Sequence, residues 1–446
     1  MKILQIASGD YLSTYGGGQV YVRRLVSALQ RMPDIEVLVA SQSADTSGVE
    51  KTYVDGVLVY CIPDKDYKDT LTQVIKKNHP DVVHIHGMER ECCQVCTQLR
   101  IPCVVTAHHG GMLCPAGALL NAEGKICRCV ASHKNCLGCV LNTIRWGKWA
   151  IPFMKRLPQS LYFNLGKILA RLPFMWYVTP VGQAAYQIQS TLEEWNAICM
   201  KSDKIIAPSL VMAEAMGRHA LDKQKVTVIP HGVEKYDDFP LFPVLIGHNL
   251  RFYYVGRINY VKGTHVLVRA FMQVAAENIE LHIIGGAANT QEKRYMAQLQ
   301  RESASDKRIV WHGKLAENEL PRQTGHYHIL VNPSICLETF GLNIAEALSA
   351  GKWVLSTRCG GAEMQIKDRE NGWLVKPNSV SAMKEALEHI IETPPKASPA
   401  YIGYISQAEH ALRVLRIYRE VVAEKSTQTM LVLERKGVWH EEKSFN

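Results

Sequence analysis

Two doubly wound α/β domains in tandem are predicted for this chain, and three observations carry the prediction. Short, continuously apolar runs alternate with helical patterns over most of its length; the alternation stops near residue 240 and then begins again; and each half has a glycine-containing turn between a strand-like run and a helix-like one. Runs of this kind are apolar at every position because a parallel strand covered by helices is buried on both faces. At 446 residues the chain also exceeds what a single core normally serves.

In the first half, "KILQIAS" from Lys2 is followed by "GQVYVRRLVSALQRM", in which Val20, Val22, Leu25, Val26 and Leu29 recur at helical spacing. The runs "IEVLVAS", "VLVYCIP", "VVHIHG", "CVVTAHH", "SDKIIAPS" and "VTVIPHGV" continue the sheet. "EKYDDFPLFPVLIGHN", with Pro240 and Pro243, reads as a linker. The second half supplies "LRFYYVGR", "IELHIIGG", "RIVWHG", "HILVNPS", "KWVLSTRC" and "GWLVKP" as strands, with "HVLVRAFMQVAAEN" and "NIAEALSAG" as helices between them. The expected organisation is a Rossmann-like domain over 1–235, a second over 246–405, and an amphipathic helix with a tail over 406–446.

Hydrophobic content of 47% with 21% charged residues describes a soluble globular protein, neither disordered nor built of membrane spans. The N-terminal apolar run meets Asp10 too soon for a secretory signal, no uninterrupted apolar segment reaches bilayer length, and thirteen cysteines is an odd number. A cytoplasmic, reduced protein is expected, with any membrane role peripheral.

The formal net charge of +9 is concentrated. No Asp or Glu lies between Gly124 and Leu192, whereas Lys125, Arg128, Lys134, Arg145, Lys148, Lys155, Arg156, Lys167 and Arg171 do, interleaved with Trp146, Trp149, Phe153, Tyr162, Phe163, Phe174 and Trp176. This insertion, spanning about 112–190 when its cysteines are included, has two readings: a basic amphipathic element on an anionic membrane, or a helical hairpin packed on the domain. Nucleic acid is disfavoured, because the aromatics are flanked by Leu and Pro rather than by polar recognition residues.

A strand that ends in glycine and opens a helix creates an anion site from free backbone N–H groups and the helix dipole. Gly16 and Gly17 of "YGGGQVYV" supply one such turn, and Gly341-Leu342-Asn343 of "ETFGLNIAEAL" a second. From Gly16 and Gly18 a dinucleotide fingerprint would require a third glycine where Tyr21 stands, and no glycine loop ends in Gly-Lys-Ser/Thr, so a nicotinamide cofactor and a P-loop are both disfavoured. Arg257 at a strand end and Lys262 before the next helix suit two phosphates. Glu346, inside a helix, is placed to accept from vicinal ribose hydroxyls, and Glu338, nearer the strand end, faces the opposite end of the same ligand.

These residues together resemble a known family. "GGGQ", "VGRINYVKG", "PSICLETFGLNIAEALSAG" with its Glu-x7-Glu spacing, and "GWLVKP" look like the retaining family 4 glycosyltransferases of the GT-B fold. The resemblance implies an N-terminal acceptor domain and a C-terminal nucleotide-sugar domain facing a central cleft, with the last helix crossing back to the first domain. It implies that Arg257 and Lys262 bind the diphosphate, Glu346 the ribose and Glu338 the transferred sugar. "VVTAHHGGMLCP" is similar to the family's strand ending in His-Asp; His108 aligns with the histidine that faces the sugar, and His109 stands where Asp is usual, an acceptor-side candidate. Gln19 replaces the acidic residue of the first glycine loop. The donor would be a UDP- or GDP-sugar and the acceptor a saccharide, lipid-linked, in cell-surface polysaccharide biosynthesis. A GT-B sugar epimerase or phosphorylase, or a non-catalytic subunit of an assembly complex, are the alternatives.

No cofactor is expected for catalysis. Asp64-Lys65-Asp66 spells the metal-binding D-x-D of a different glycosyltransferase fold, but it lies in the half without donor residues and reads as a solvated loop. The cysteines allow a structural metal instead. Cys136-x2-Cys139 has zinc-knuckle spacing, and Cys114 with Cys127 or Cys129 completes four thiolates; buried free thiols are the other reading.

Overall fold

The computed structural model describes residues 1–7, 9, 11, 16–43, 48–121, 123–144, 147, 149, 180–219, 221–234, 249–316, 319–399 and 403–435, with backbone alone for 428–435. The apolar runs of the first half form one eight-stranded sheet in the order β3-β4-β2-β1-β5-β6-β7-β8. These are β1 (Lys2–Ala7), β2 (Glu36–Ser43), β3 (Glu50–Val54), β4 (Val57–Pro63), β5 (Val82–Ile85), β6 (Cys103–Thr106), β7 (Lys204–Ala207) and β8 (Val226–Val228). Every pairing is parallel except that of β3 with β4. Strand β3 escapes the apolar pattern because it is a solvated edge with no buried residue. Its signal is Asp55-Gly56, whose φ values of 49° and 81° make the positive-φ turn that a two-residue hairpin requires.

Helices α1 (Gly17–Gln30), α2 (Tyr67–Asn78) and α3 (Glu89–Leu99) make the parallel crossovers. The insertion contributes α4 (His133–Thr143) and α5 (Pro180–Lys201), which pack together through Leu137, Val140, Leu141, Ala184 and Ile188, so its two ends form a helical pair. Most of the basic-aromatic stretch, from Arg145 through Trp176 apart from Gly147 and Trp149, lies outside the described residues, as does most of the linker. Among the described residues no helix is long and apolar enough to cross a membrane.

The six strands expected in the second half form a parallel sheet in the order β12-β11-β10-β13-β14-β15. They are β10 (Leu250–Val255), β11 (Ile279–Ile284), β12 (Ile309–Gly313), β13 (Ile329–Asn332), β14 (Trp353–Thr357) and β15 (Gly372–Val375). The helices that matter below are α6 (Thr264–Phe271), α7 (Thr290–Glu302) and α8 (Leu342–Ser349). Helix α6 is shorter than its apolar period predicts. Past Phe271 the N–H groups of Gln273 and Val274 turn to the i−3 carbonyls of Ala270 and Phe271, which closes the helix, and the Arg308 guanidinium takes the carbonyls of Val274 and Ala276 beyond it.

Two short strands, β9 (Gly232–Val233) and β16 (Ile405–Ser406), pair where the chain passes between domains. A side chain at Gly232 would meet the Cα of Gln407 and the Cβ of His410 at 2.7 Å, so only glycine lets the two segments touch. Helix α9 (Gln407–Arg435) then leaves the second domain and buries Ala411, Val414, Leu415, Tyr418 and Val421 against Val22, Leu25, Val26 and Leu29 of α1. In each sheet the strand order reverses once, between β1 and β5 and between β10 and β13, and a parallel sheet binds its ligands at the carboxyl ends of such strands.

Candidate active site

At the second switch point the loops after β10 and β13 press together. Gly263, with φ of 70°, lies so close to Pro333 that an added Cβ would sit 1.9 Å from its carbonyl oxygen. The loop that Gly263 closes carries Arg257 and Lys262. Asn259 caps it by accepting from the Lys262 N–H at 3.0 Å, and the Tyr254 hydroxyl donates to the Arg257 carbonyl at 2.7 Å. Both cations are already paired. Arg257 Nη2 lies 2.7 Å from Glu292 Oε1, and Lys262 Nζ lies 2.5 Å from Glu338 Oε1. Burial alone would raise the Glu338 carboxyl and lower the Lys262 ammonium, but their mutual attraction reverses both, so the pair stands fully ionised. Glu292 is likewise held below the usual carboxylate range despite its burial, by Arg257, the Ala288 N–H and Asn259.

Glu338 is strapped in place by its backbone, which donates to the Cys359 carbonyl at 2.7 Å and accepts from the Gly361 N–H at 2.9 Å. Gly341, with φ of 87°, makes the turn into α8. The Asn343 side chain donates to the Val255 carbonyl at 3.2 Å, tying the start of α8 to the end of β10. Leu342 and Asn343 occupy its first turn, where backbone N–H groups have no partner within the helix. Glu346 stands one turn further on.

The same stretch reaches across the cleft. The Thr339 hydroxyl donates to the His108 carbonyl at 3.0 Å, the Phe340 ring packs on that of His231 with centroids 5.1 Å apart, and Glu346 Oε1 lies 2.7 Å from Arg24 Nη2. On the first domain Gly16 and Gly17 are exposed at the start of α1. Gly16 needs glycine for its φ of 102°, whereas a Cβ on Gly17 would meet open space, so nothing among the described residues demands glycine there.

His108 and His109 part company. His109 is exposed, while His108 ends a buried chain of hydrogen bonds. The Tyr418 oxygen accepts from Gln5 Nε2 at 2.9 Å, so its one proton goes to His84 Nδ1, and His84 Nε2 in turn donates to Thr106 Oγ1 at 2.7 Å. On the other branch Gln5 Oε1 accepts from His86 Nε2 at 2.8 Å. The remaining nitrogen of neutral His86 accepts from His108 Nε2 at 2.9 Å, which leaves Nδ1 of His108 as a lone pair. These donor directions follow from the orientation assigned to the Gln5 amide. Burial keeps the whole cluster neutral: His84, His86 and His231 are pushed well below the usual histidine range, His410 down to about 4 and His108 down to about 3, with the neighbouring His109 and His410 rings adding to the effect of burial on His108.

The cysteine expectation finds no metal geometry. Among the described residues no group of three or more His, Cys, Asp or Glu is arranged to hold an ion. Cys114 is buried, and Cys127, Cys136 and Cys139 are partly so. Asp64 and Asp66 are exposed beside the start of α2, in the first domain.

Sequence reasoning missed Arg24, Glu292 and the histidine chain. Glu292 had a signal, because Asn289-x-x-Glu292 has the spacing of a helix start and places the carboxylate beside the strand ends. Arg24 had only its phase, two helical turns beyond Gly17.

Two family models match the chain, "Glycosyltransferase Family 4" over residues 15–128 and "Glycosyl transferases group 1" over residues 245–406. A D-inositol 3-phosphate glycosyltransferase of Nocardioides sp. is 28% identical over 191 residues, 38% of this chain and 42% of that protein. A sucrose synthase of Acidithiobacillus caldus is 29% identical over 174 residues, 36% of this chain and 21% of the relative. The chain therefore spans less than half the length of either. Among solved structures, sucrose-phosphate synthase from Thermosynechococcus elongatus superposes with a TM-score of 0.65 at 20% identity, covering 95% of this chain and all of that one. Anabaena HepE in complex with UDP and glucose gives 0.60 at 17% identity, covering 96% and 99%. At such identities the likeness is one of fold.

Proposed function

The chain is a family 4-like glycosyltransferase of the GT-B fold, and from that premise we propose that it moves a sugar, with retention, from a nucleoside diphosphate sugar to a saccharide acceptor. The observation that carries this reading is the pairing of Lys262 with Glu338 at the second switch point, beside Arg257. A dianionic diphosphate competes with Glu338 for Lys262, and the displaced carboxylate becomes an acceptor for sugar hydroxyls at the other end of the ligand. Cation and carboxylate thus hold each other ionised until the donor separates them. HepE, whose structure contains UDP and glucose, supports a uridine nucleotide as the first donor to test, with GDP-sugars second.

Departure of the diphosphate leaves negative charge on its oxygens, and Arg257, Lys262 and the first turn of α8 face that charge. Among the described residues Glu338 is ion-paired and His108 is neutral with a low proton affinity, so neither serves as a general base. The leaving phosphate takes the acceptor proton on the same face, which gives retention without a covalent intermediate. The Nδ1 lone pair of His108 accepts from a sugar hydroxyl. None of these steps draws on a metal.

The acceptor is a lipid-linked saccharide of cell-surface polysaccharide synthesis, met at an anionic membrane face by the basic-aromatic stretch between Gly124 and Leu192. A lipopolysaccharide galactosyltransferase among the structural neighbours is consistent with that class. A panel of UDP- and GDP-sugars, scored by mass spectrometry for binding and slow hydrolysis, tests the reading. Glu346→Ala and Arg257→Ala should weaken donor binding, while Glu338→Ala should mainly lower turnover. Absence of binding by the whole panel, or binding indifferent to both donor-site substitutions, overturns it.

A further inference from the structure

We propose that His231 is a further binding residue for the transferred sugar, its ring meeting a sugar hydroxyl beside His108. The inference rests on the reading of the chain as a nucleotide-sugar transferase. Of the five clustered imidazoles, four make hydrogen bonds: His84, His86 and His108 in the chain described above, and His410 through the Pro230 carbonyl at 2.7 Å and the Tyr21 hydroxyl at 3.0 Å. His231 differs. It is 6% exposed, and its Nδ1 is buried with no hydrogen-bond partner among the described residues.

What surrounds His231 is rings, with centroids 4.2 Å away for Tyr21, 5.1 Å for Phe340, 5.7 Å for His108 and 6.1 Å for His410. A buried polar atom left unpaired lowers stability, and a side chain without nitrogens would sit among these rings at no such cost. The fold therefore gains nothing from Nδ1. Local violations of this kind gather at functional sites.

Placement and chemistry say which ligand the nitrogen serves. His231 follows β8 and His108 follows β6, so both stand beyond carboxyl ends of the first sheet. The backbone is fixed on either side of His231, by His410 on the Pro230 carbonyl and by Gln407 against Gly232. From the second domain the ring meets Phe340, two residues beyond Glu338. His231 is thus bracketed by His108 and the Glu338 segment, the groups set at the sugar rather than at the nucleoside. Burial keeps the ring neutral, which suits a diphosphate poorly. A hydroxyl both donates and accepts, so it satisfies Nδ1 in either tautomer. Phe340 is the one of the four surrounding rings that belongs to the second domain, so opening of the cleft uncovers His231 from that side and leaves the other three contacts in place.

The test uses the full chain, with UDP, UDP-glucose, UDP-galactose, GDP and GDP-mannose as probes in calorimetry and in the slow-hydrolysis assay. His231→Phe keeps an aromatic ring and removes both nitrogens, and His231→Leu does the same with a smaller side chain. Urea unfolding should find at least one of the two as stable as the parent. In that variant affinity for the bare nucleotide should be unchanged, whereas kcat/KM for hydrolysis of the preferred nucleotide-sugar should fall roughly two- to ten-fold, the span of one neutral hydrogen bond. His231→Asn, whose amide carries a polar atom near the place of Nδ1, should recover part of that loss. Equal losses for nucleotide and nucleotide-sugar, or a drop in stability in both variants, would make His231 a structural residue and overturn the proposal, as would hydrolysis indistinguishable from the parent's. Those results leave the donor reading standing. Failure of the parent chain to bind any of the probes would instead remove the donor reading, and this inference with it.

Discussion

Tyr418→Phe removes one oxygen from the interior of the first domain and nothing else. The ring stays, so no cavity opens, yet the oxygen is the junction at which the Gln5 amide and His84 Nδ1 meet, at 2.9 and 2.5 Å. Gln5, His84 and Tyr418 are all 0% exposed, so water cannot replace it. Two buried polar groups lose their partner at once, each at about 1–3 kcal/mol, and the expected loss of stability is about 2–6 kcal/mol. Urea unfolding followed by circular dichroism measures it, with Tyr53→Phe, at a site 72% exposed, as the control that should change little. If Tyr418→Phe is as mild as that control, within about 0.5 kcal/mol, the hydrogen-bond chain described for the histidines does not exist in solution.

Three further outcomes follow from the same geometry. Glu292→Gln keeps the helix start but releases the charge that holds Arg257, and should raise the donor KM about three- to ten-fold with kcat little changed, as loss of uniform binding does; a fall in kcat alone would show that Glu292 does not act through Arg257. Gly263→Ala places a Cβ where the Pro333 carbonyl stands, so it should abolish nucleotide binding while circular dichroism shows the first domain intact; ordinary binding by this variant would refute the pressed-loop geometry. The clustered histidines set a pH dependence. Each has its folded pKa depressed below the ordinary value of 6.5, so the unfolded chain binds more protons in acid, and stability that is complete above about pH 6.5 falls as pH drops towards 4, by up to about 1.4 kcal/mol per pH unit for each histidine. Equilibrium unfolding between pH 7 and 4 that showed no such slope would mean the rings are not buried neutral.

Both sheets could be read from the sequence because a strand covered on two faces has no freedom to be polar; β5 and β6 are buried at every residue. Edge strand β3 lacked that constraint, and only its Asp-Gly turn announced it. At the site, Arg257, Lys262, Glu338, Gly341 and Glu346 were legible for a similar reason: they follow strands, and strand ends in a parallel sheet converge. What the linear order does not encode is pairing at long range. Lys262 and Glu338 are separated by 76 positions and Arg24 and Glu346 by far more, so the sequence named Lys262, Glu338 and Glu346 without revealing their ion pairs, and did not name Arg24 at all. The segment after α6 is held in the same long-range way, its Val274 and Ala276 carbonyls taken by Arg308 from just ahead of a later strand.

Helix α9 has a consequence for the order in which the molecule can be assembled. The apolar face of α1, and the buried Gln5 and His84 behind it, are closed by residues between His410 and Val421, which a ribosome delivers only after the entire second domain. During synthesis the first domain must therefore wait with a strip of its interior uncovered, while the second, whose strands and helices are contiguous in sequence, has what it needs to fold as it emerges. Nascent chains arrested before Gln407 should accordingly recruit holdase chaperones to α1, and release them once the last helix clears the exit tunnel.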